Sequence, residues 1–206
     1  MGFYEERILP NVIACACGMK PILKQRRIMV PEAKGRVLEV GMGSGTNLPY
    51  YDASRVTQII GVEPSEGMRI KAARAIAGQE IPVELVDAPG EALPVEDGSI
   101  DTVLLTFTLC TIPDYQAALE EMRRVLKPEG RLVFVEHGLA CDAGVVTWQR
   151  RIEPIWKRIA GGCHLTRPMD KLIADAGFRI DRLEADYIPK TPKISGYVYK
   201  GLAGVR

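Results

Sequence analysis

No apolar run in this 206-residue chain approaches the roughly 20 residues needed to cross a bilayer. No basic N-terminal segment leads into a short apolar stretch and a cleavage site. The 5 cysteines are an odd number without the spacing of a disulfide scaffold. These absences exclude a disulfide-built secreted module and predict a reduced, cytoplasmic compartment. Neither sign of charge dominates: 27 Lys and Arg stand against 26 Asp and Glu, and a net charge of +1 gives no global field of the kind that draws nucleic acid. There is no internal repeat and no low-complexity segment, and the length suits one domain with a full hydrophobic core.

Charge is nonetheless uneven. Between Lys20 and Arg36, the basic residues Lys20, Lys24, Arg26, Arg27, Lys34 and Arg36 stand against Glu32 alone. Residues 3–30 read as two short helices broken at Gly18-Met19, with Pro10 a kink in the first and Pro21 suited to the first turn of the second. Two readings stay open for this segment. It is a lid over a ligand site, or it is an apolar and basic face lying on an anionic membrane.

The most informative stretch is Arg36-Val-Leu-Glu-Val-Gly-Met-Gly-Ser-Gly-Thr46. An apolar strand runs into Gly41, Gly43 and Gly45, residues that let a backbone turn sharply and approach a ligand. A strand, a glycine turn and a helix form the nucleotide-binding corner of an α/β sheet. The spacing is G-x-G-x-G, and Glu39 precedes the first glycine. A carboxylate there repels a pyrophosphate and attracts an ammonium group.

With Glu39 and the three glycines, the chain resembles the class I S-adenosylmethionine-dependent methyltransferases. The phrase from Ala118 to Leu132, with its Lys127-Pro-Glu-Gly130 stop, strengthens that likeness. Glu136-His137, Trp148-Gln149, Glu153-Pro154, Trp156-Lys157 and Gly161-Gly-Cys-His-Leu-Thr-Arg167 are further similar to the microsomal alkyl-thiol methyltransferases and their bacterial relatives. Animal members carry a long N-terminal membrane anchor, and none is expected in this protein. The resemblance implies a Rossmann-like α/β fold with a seven-stranded, mostly parallel sheet and an antiparallel last strand. Residues 1–30 are then an N-terminal helical lid or interfacial segment and residues 31–206 the methyltransferase domain. The location expected is cytoplasmic, with peripheral contact at the inner membrane face through residues 3–30 as the second reading.

Strands are predicted at Val37–Val40, Gln58–Val62, Val83–Val86, Ile100–Thr106, Arg131–Glu136, Phe178–Ala185 and Tyr197–Ala203. Helices are predicted from Gly45–Thr46 through Tyr51, over Gly67–Ala77 with Ser65 as cap, after the cap Asp114, and over Met169–Ala176 with Gly177 behind it. Glu63 ends the second strand about 20 residues past the glycine turn, where an acid accepts hydrogen bonds from ribose hydroxyls. The resemblance implies that S-adenosylmethionine, leaving as S-adenosylhomocysteine, is held by Glu39, Gly41, Gly43, Ser44, Gly45, Asn47, Glu63, Pro64 and Met68. It adds Gly90 and Glu91 at the adenine edge, and Thr106, Phe107 and Thr108 after the fourth strand.

Methyl transfer from a sulfonium needs alignment and exclusion of water more than a protein nucleophile. A thiol acceptor must lose its proton. His137, at the crevice edge, is the candidate base, and His164 is the second. Tyr4, Cys110, Trp148 and Trp156 are candidates for the acceptor pocket. His137, Cys141, Cys163 and His164 lack the paired spacing of a zinc set, so no metal is expected. A thiol is the expected acceptor. A phospholipid amine, a quinone precursor, or a non-catalytic S-adenosylmethionine-binding role stay open, with no nucleic acid and no obligate protein partner.

Overall fold

The computed structural model describes residues 9–205. Helices α1 (Leu9–Cys17) and α2 (Lys20–Met29) precede the alternation of strands and helices. That alternation runs β1 (Gly35–Val40), β2 (Val56–Val62), α3 (Glu66–Ile76), β3 (Val83–Val86), β4 (Ile100–Thr106), α4 (Tyr115–Val125) and β5 (Leu126–His137). The chain closes with α5 (Ala143–Ile159), α6 (Met169–Asp175), β6 (Phe178–Tyr187) and β7 (Tyr197–Val205).

The strands form one seven-stranded sheet in the order β3-β2-β1-β4-β5-β7-β6. Pairs from β3 to β5 are parallel, and β7 runs antiparallel to both β5 and β6. The first crossovers run outward from β1 in one direction and the later ones in the other. The switch therefore falls between β1 and β4, where open α/β sheets form a crevice at their carboxyl edge.

Alternation of side chains across the strands builds two cores. Leu38, Val40, Val103, Leu105 and Phe134 face the apolar stripe of α4, whose Ala118, Leu119, Met122 and Val125 are all buried. Val37, Ile59, Leu104, Val133 and Val135 face Met29 at the end of α2 and Ala72 of α3. Helices thus cover both faces, which is why the central strands are nearly continuous apolar runs. Asp114 caps α4 as expected, its Oδ1 accepting from the Ala117 amide at 3.0 Å. Gly177 closes α6 with φ +89°.

Three local expectations change. No α-helix follows the glycine turn; there is only a 3-10 turn at Leu48–Tyr50. Pro49 explains this, since a helix begun at residue 45 would place its ring against a preceding carbonyl. Ser65 sits at the N-terminus of α3 without a side-chain capping bond. Its amide instead donates to Glu63 Oε1 at 2.9 Å. The fifth strand begins earlier, at Leu126, because the ladder jumps from Ile100↔Leu126 to Thr102↔Arg131 and absorbs the Lys-Pro-Glu-Gly bend as a bulge.

Gln149 anchors α5 to the domain. It is fully buried. Its Oε1 accepts from the Ala140 amide at 3.0 Å, and its Nε2 donates to the carbonyls of Gly138 and Ile194 at 3.0 and 3.1 Å. Gln149→Leu keeps most of the volume and orphans these groups, so urea unfolding should show a loss of roughly 2–4 kcal/mol. A loss below about 0.5 kcal/mol would mean the helix is held by packing alone.

Candidate active site

Gly41, Gly43 and Gly45 all adopt left-handed φ, at +73°, +61° and +78°. A Cβ at Gly41 would lie 2.3 Å from Thr108 Cγ2, so this glycine lets the loop close against the end of β4. A Cβ at Gly43 meets nothing nearer than 4.0 Å and would project into open space. The Gly43 amide donates to Glu63 Oε2 at 2.9 Å, tying the loop to the end of β2. Gly45 packs inward on Ala75 and Leu48.

Beneath the loop lies a buried polar knot. Asn47 Nδ2 donates to Glu39 Oε1 at 2.8 Å and to Thr106 Oγ1 at 2.9 Å. The Tyr51 hydroxyl donates to Glu39 Oε2 at 2.6 Å. Arg26 of α2 reaches in from the other side. Its Nη1 donates to Asn47 Oδ1 at 2.9 Å and to Thr106 Oγ1 at 2.5 Å, and its guanidinium stands 5.3 Å from the Phe107 ring centroid. Burial pushes the Glu39 carboxyl up to about 7, against the lowering effect of Tyr51, Asn47 and the Arg26 charge. Glu39 therefore does not present a bare carboxylate to a ligand ammonium, as the sequence led us to expect. Both its oxygens are bound inside the protein.

The knot forms the floor of a cavity of about 860 Å³. Of the residues expected to hold the cofactor, Gly41, Gly43, Ser44, Glu63, Pro64, Met68, Thr106, Phe107 and Thr108 line it. Glu39, Asn47 and Gly45 support it from below. Gly90 and Glu91 do not reach it: Gly90 packs against Ile112 and Val40, and Glu91 Oε1 accepts from the Asp114 amide at 3.4 Å. The sequence reading missed Arg26, Thr111 and Gly161 in the wall, and Ile13, Ala14 and Cys17 of α1 across the mouth. Lys71 Nζ donates to Asn11 Oδ1 at 2.7 Å and fastens α1 to α3.

The loop after β4 is strained and heavily braced. Phe107 has φ +56°, unusual for a residue with a side chain. Glu136 is fully buried, and its Oε1 accepts from the amides of Thr108 at 2.7 Å and Leu109 at 3.1 Å. Arg167 Nη1 donates to the carbonyls of Leu109 and Ile112. Burial raises the Glu136 carboxyl to about 7, against the lowering effect of those amides and of His137.

The residues expected at the acceptor end are placed as follows. His137 Nε2 lies 2.9 Å from Cys163 Sγ, and its Nδ1 is buried without a partner. It is not in the cavity wall. His164 Nδ1 lies 3.3 Å from Glu153 Oε1, and its amide donates to the Cys110 carbonyl at 2.8 Å, so it braces a loop. Burial, with the charges of Arg167 and Lys157, lowers its pKa. Cys110 is buried beside Cys163 rather than exposed to the cavity. Trp156 packs against the core and its Nε1 donates to Cys163 Sγ at 3.4 Å. Trp148 is 58% exposed on the outside of α5, under the Arg151 guanidinium, and is not in the wall of this cavity. Tyr4 lies outside the described residues. Cys141 is exposed and lies outside the cluster formed by Cys110, His137 and Cys163.

A mostly parallel sheet with this strand order, a glycine loop after β1 and an acid closing β2 define the class I methyltransferase architecture. Residues 38–134 match the methyltransferase domain family. Human thiol S-methyltransferase TMT1A is 34% identical over 180 residues, covering 82% of this chain and 72% of that protein. Phosphatidylethanolamine N-methyltransferase of Cereibacter sphaeroides is 35% identical over 112 residues, covering 53% of this chain and 54% of that one. A solved S-adenosylmethionine-dependent methyltransferase of Methanosarcina mazei superposes with a TM-score of 0.65 at 19% identity, covering 91% of this chain and 98% of that one, which supports the fold. The chain belongs to the S-adenosylmethionine-dependent methyltransferases, in the family that contains the thiol S-methyltransferases TMT1A and TMT1B.

The raised Glu39 carboxyl makes stability depend on pH. In the window from the ordinary glutamate value of 4.5 up to about 7 the folded chain binds more protons at this site than the unfolded one. The site's stabilising contribution is complete below the window and is lost as pH rises through it. Glu39→Gln should therefore flatten the decline of the melting temperature between those values. An unchanged slope would show that Glu39 is ionised throughout.

Proposed function

We propose that this methyltransferase moves the methyl group of S-adenosylmethionine to a small or lipophilic thiol. The observation that carries this reading is the breadth of likeness to the thiol enzymes, 82% of the chain against 53% for the phospholipid enzyme. The cofactor when bound supplies a methyl group on a sulfonium, an electrophile that needs no further activation. The chain's residues suit that ligand. Glu63 spends one hydrogen bond per oxygen on Gly43 and Ser65 and keeps lone pairs for two hydroxyls. Gly43 leaves room for close approach of a ligand. Pro64, Met68 and Ile70 give the cavity an apolar flank, and Ile13, Ala14 and Cys17 of α1 add to its wall. No side chain in the wall is an obvious strong base, which suits an acceptor that arrives partly as thiolate.

A lipophilic acceptor is favoured by α5. Trp148, Ile155 and Ile159 share one outward face and are 58%, 66% and 52% exposed. Arg150, Arg151, Lys157 and Arg158 accompany them on the same helix. Such a face suits the surface of an anionic bilayer. On this reading α5 adds to the N-terminal segment, where Val12, Met19 and Ile28 are also exposed although α2 turns Gln25, Arg26 and Met29 into the protein. Among the described residues no helix is long and apolar enough to cross a membrane.

Two measurements test the reading. Glu63→Ala should weaken S-adenosylhomocysteine binding by about tenfold or more in calorimetry, the value of one charged hydrogen-bonding group; unchanged affinity would remove Glu63 from the site. Labelled S-adenosylmethionine should be offered in parallel with alkyl thiols, phosphatidylethanolamine vesicles and demethylquinones. Label on the thiol is expected, and label confined to lipid or quinone would overturn the assignment. In the same assays Trp148→Asp should lower co-sedimentation with anionic vesicles and spare turnover of a water-soluble thiol.

A further inference from the structure

Three side chains from separate segments meet below the acceptor end of the cavity. Cys110 lies in the loop after β4, His137 ends β5, and Cys163 follows α5. One ligand atom from each lies within 4.8 Å of the other two. Both cysteines are buried, at 1% and 6% exposure. His137 Nε2 faces the Cys163 sulfur, and no protein group meets its Nδ1. We infer that Cys110, His137 and Cys163 form a binding site for a divalent zinc ion.

The donor set is the first argument. Two thiolates and one imidazole are the ligands zinc takes in its tetrahedral sites. At ordinary Zn–S and Zn–N distances the donor atoms of such a site stand roughly 3.5–3.8 Å apart, so this cluster needs shifts of about 1 Å or less. Charge is the second argument. Binding displaces two protons from the cluster to solvent, leaving two thiolates and a neutral imidazole against a divalent cation, with no net charge on the set. A monovalent ion would leave one negative charge uncompensated. Support around the ligands is the third. Trp156 Nε1 donates to the Cys163 sulfur at 3.4 Å, the kind of outer bond that orients a metal thiolate. The amide of His164, next to Cys163, donates to the Cys110 carbonyl at 2.8 Å, so the two cysteine loops are already joined.

The consequence is local. Thr108 and Thr111 flank Cys110, and Gly161 precedes Cys163 by two residues; all three line the cavity. Zinc at this site would staple the two loops that form that wall. Three protein ligands leave a fourth position for water or for another donor, as in zinc sites that keep an open coordination position.

The test uses the full chain. Purified protein should contain about one zinc per chain by elemental analysis. After chelator treatment, Co²⁺ alone should produce a thiolate-to-cobalt charge-transfer band, and added Zn²⁺ should abolish it and raise the melting temperature. Cys110→Ser and Cys163→Ser should lose the band and weaken Zn²⁺ affinity by more than about 100-fold, beyond the usual cost of losing an outer-shell partner. Cys141→Ser, at an exposed cysteine outside the cluster, should leave both unchanged. The inference is overturned if stripped wild-type protein takes up neither ion at micromolar concentration. It is overturned equally if the accessible thiols of denatured protein fall by two with no metal bound, which would mark a Cys110–Cys163 disulfide. Neither result depends on which acceptor is methylated.

Discussion

Arg26 holds the donor end of this enzyme together. A single guanidinium nitrogen serves both Asn47 and Thr106, and through Asn47 it connects to Glu39. Placing a cation in the interior costs several kcal/mol unless partners repay it. Here the partners come from the loop after β1 and the end of β4, and the interaction ties both, with α2, into three linked segments. None of the three is satisfied without the others. The glycine loop has no helix behind it to fix its course, only the 3-10 turn at Leu48–Tyr50. Its shape therefore depends on the knot beneath it, and the floor of the cavity is complete only when α2 is docked.

The loop after β4 solves a similar problem with two more buried ionisable groups. The loop from Phe107 to Ile112 is irregular, and Phe107 carries strain of about 1–3 kcal/mol in its left-handed conformation. An irregular buried segment leaves amides and carbonyls that no neighbouring strand satisfies. Glu136 takes the amides of Thr108 and Leu109, and Arg167 takes the carbonyls of Leu109 and Ile112. One acid and one base thus replace a missing ladder. Glu153 does the same for the next loop, accepting the amides of Leu165 and Thr166 at 3.0 and 2.8 Å.

What could be read in advance follows from this division. Features governed by backbone geometry were legible: the three glycines, strands Val83–Val86 and Ile100–Thr106 to the residue, the Asp114 cap, and Glu63 at the end of β2. Features governed by long-range side-chain pairing were not. Arg26 sits in an amphipathic basic helix, where an arginine normally faces water, and nothing local marks it as the buried one. Glu39 reads as a ligand group from its place two residues before the first glycine, and nothing local marks Asn47 and Tyr51 as its partners. Trp148 and Trp156 do lie on one helix, but their angular offset is enough to leave one in solvent and the other against the core. Cys110 could not be joined to His137 and Cys163 by spacing, since each lies in a different loop or strand end.

The same division bears on acceptor choice within the family. The donor cavity is assembled from strand ends and a glycine turn, which tolerate wide sequence change provided the backbone path is kept. The family match runs from residue 38 to residue 134, through the turn and the strands around it. It stops just before Glu136, His137, Glu153, Cys163 and Arg167. Those residues are paired side chain to loop across 10 to 60 positions, so substituting one partner leaves a buried charge or dipole unpaired. Such brackets change together or not at all. A relative with another acceptor can therefore share the donor half closely and still rebuild this half as a unit.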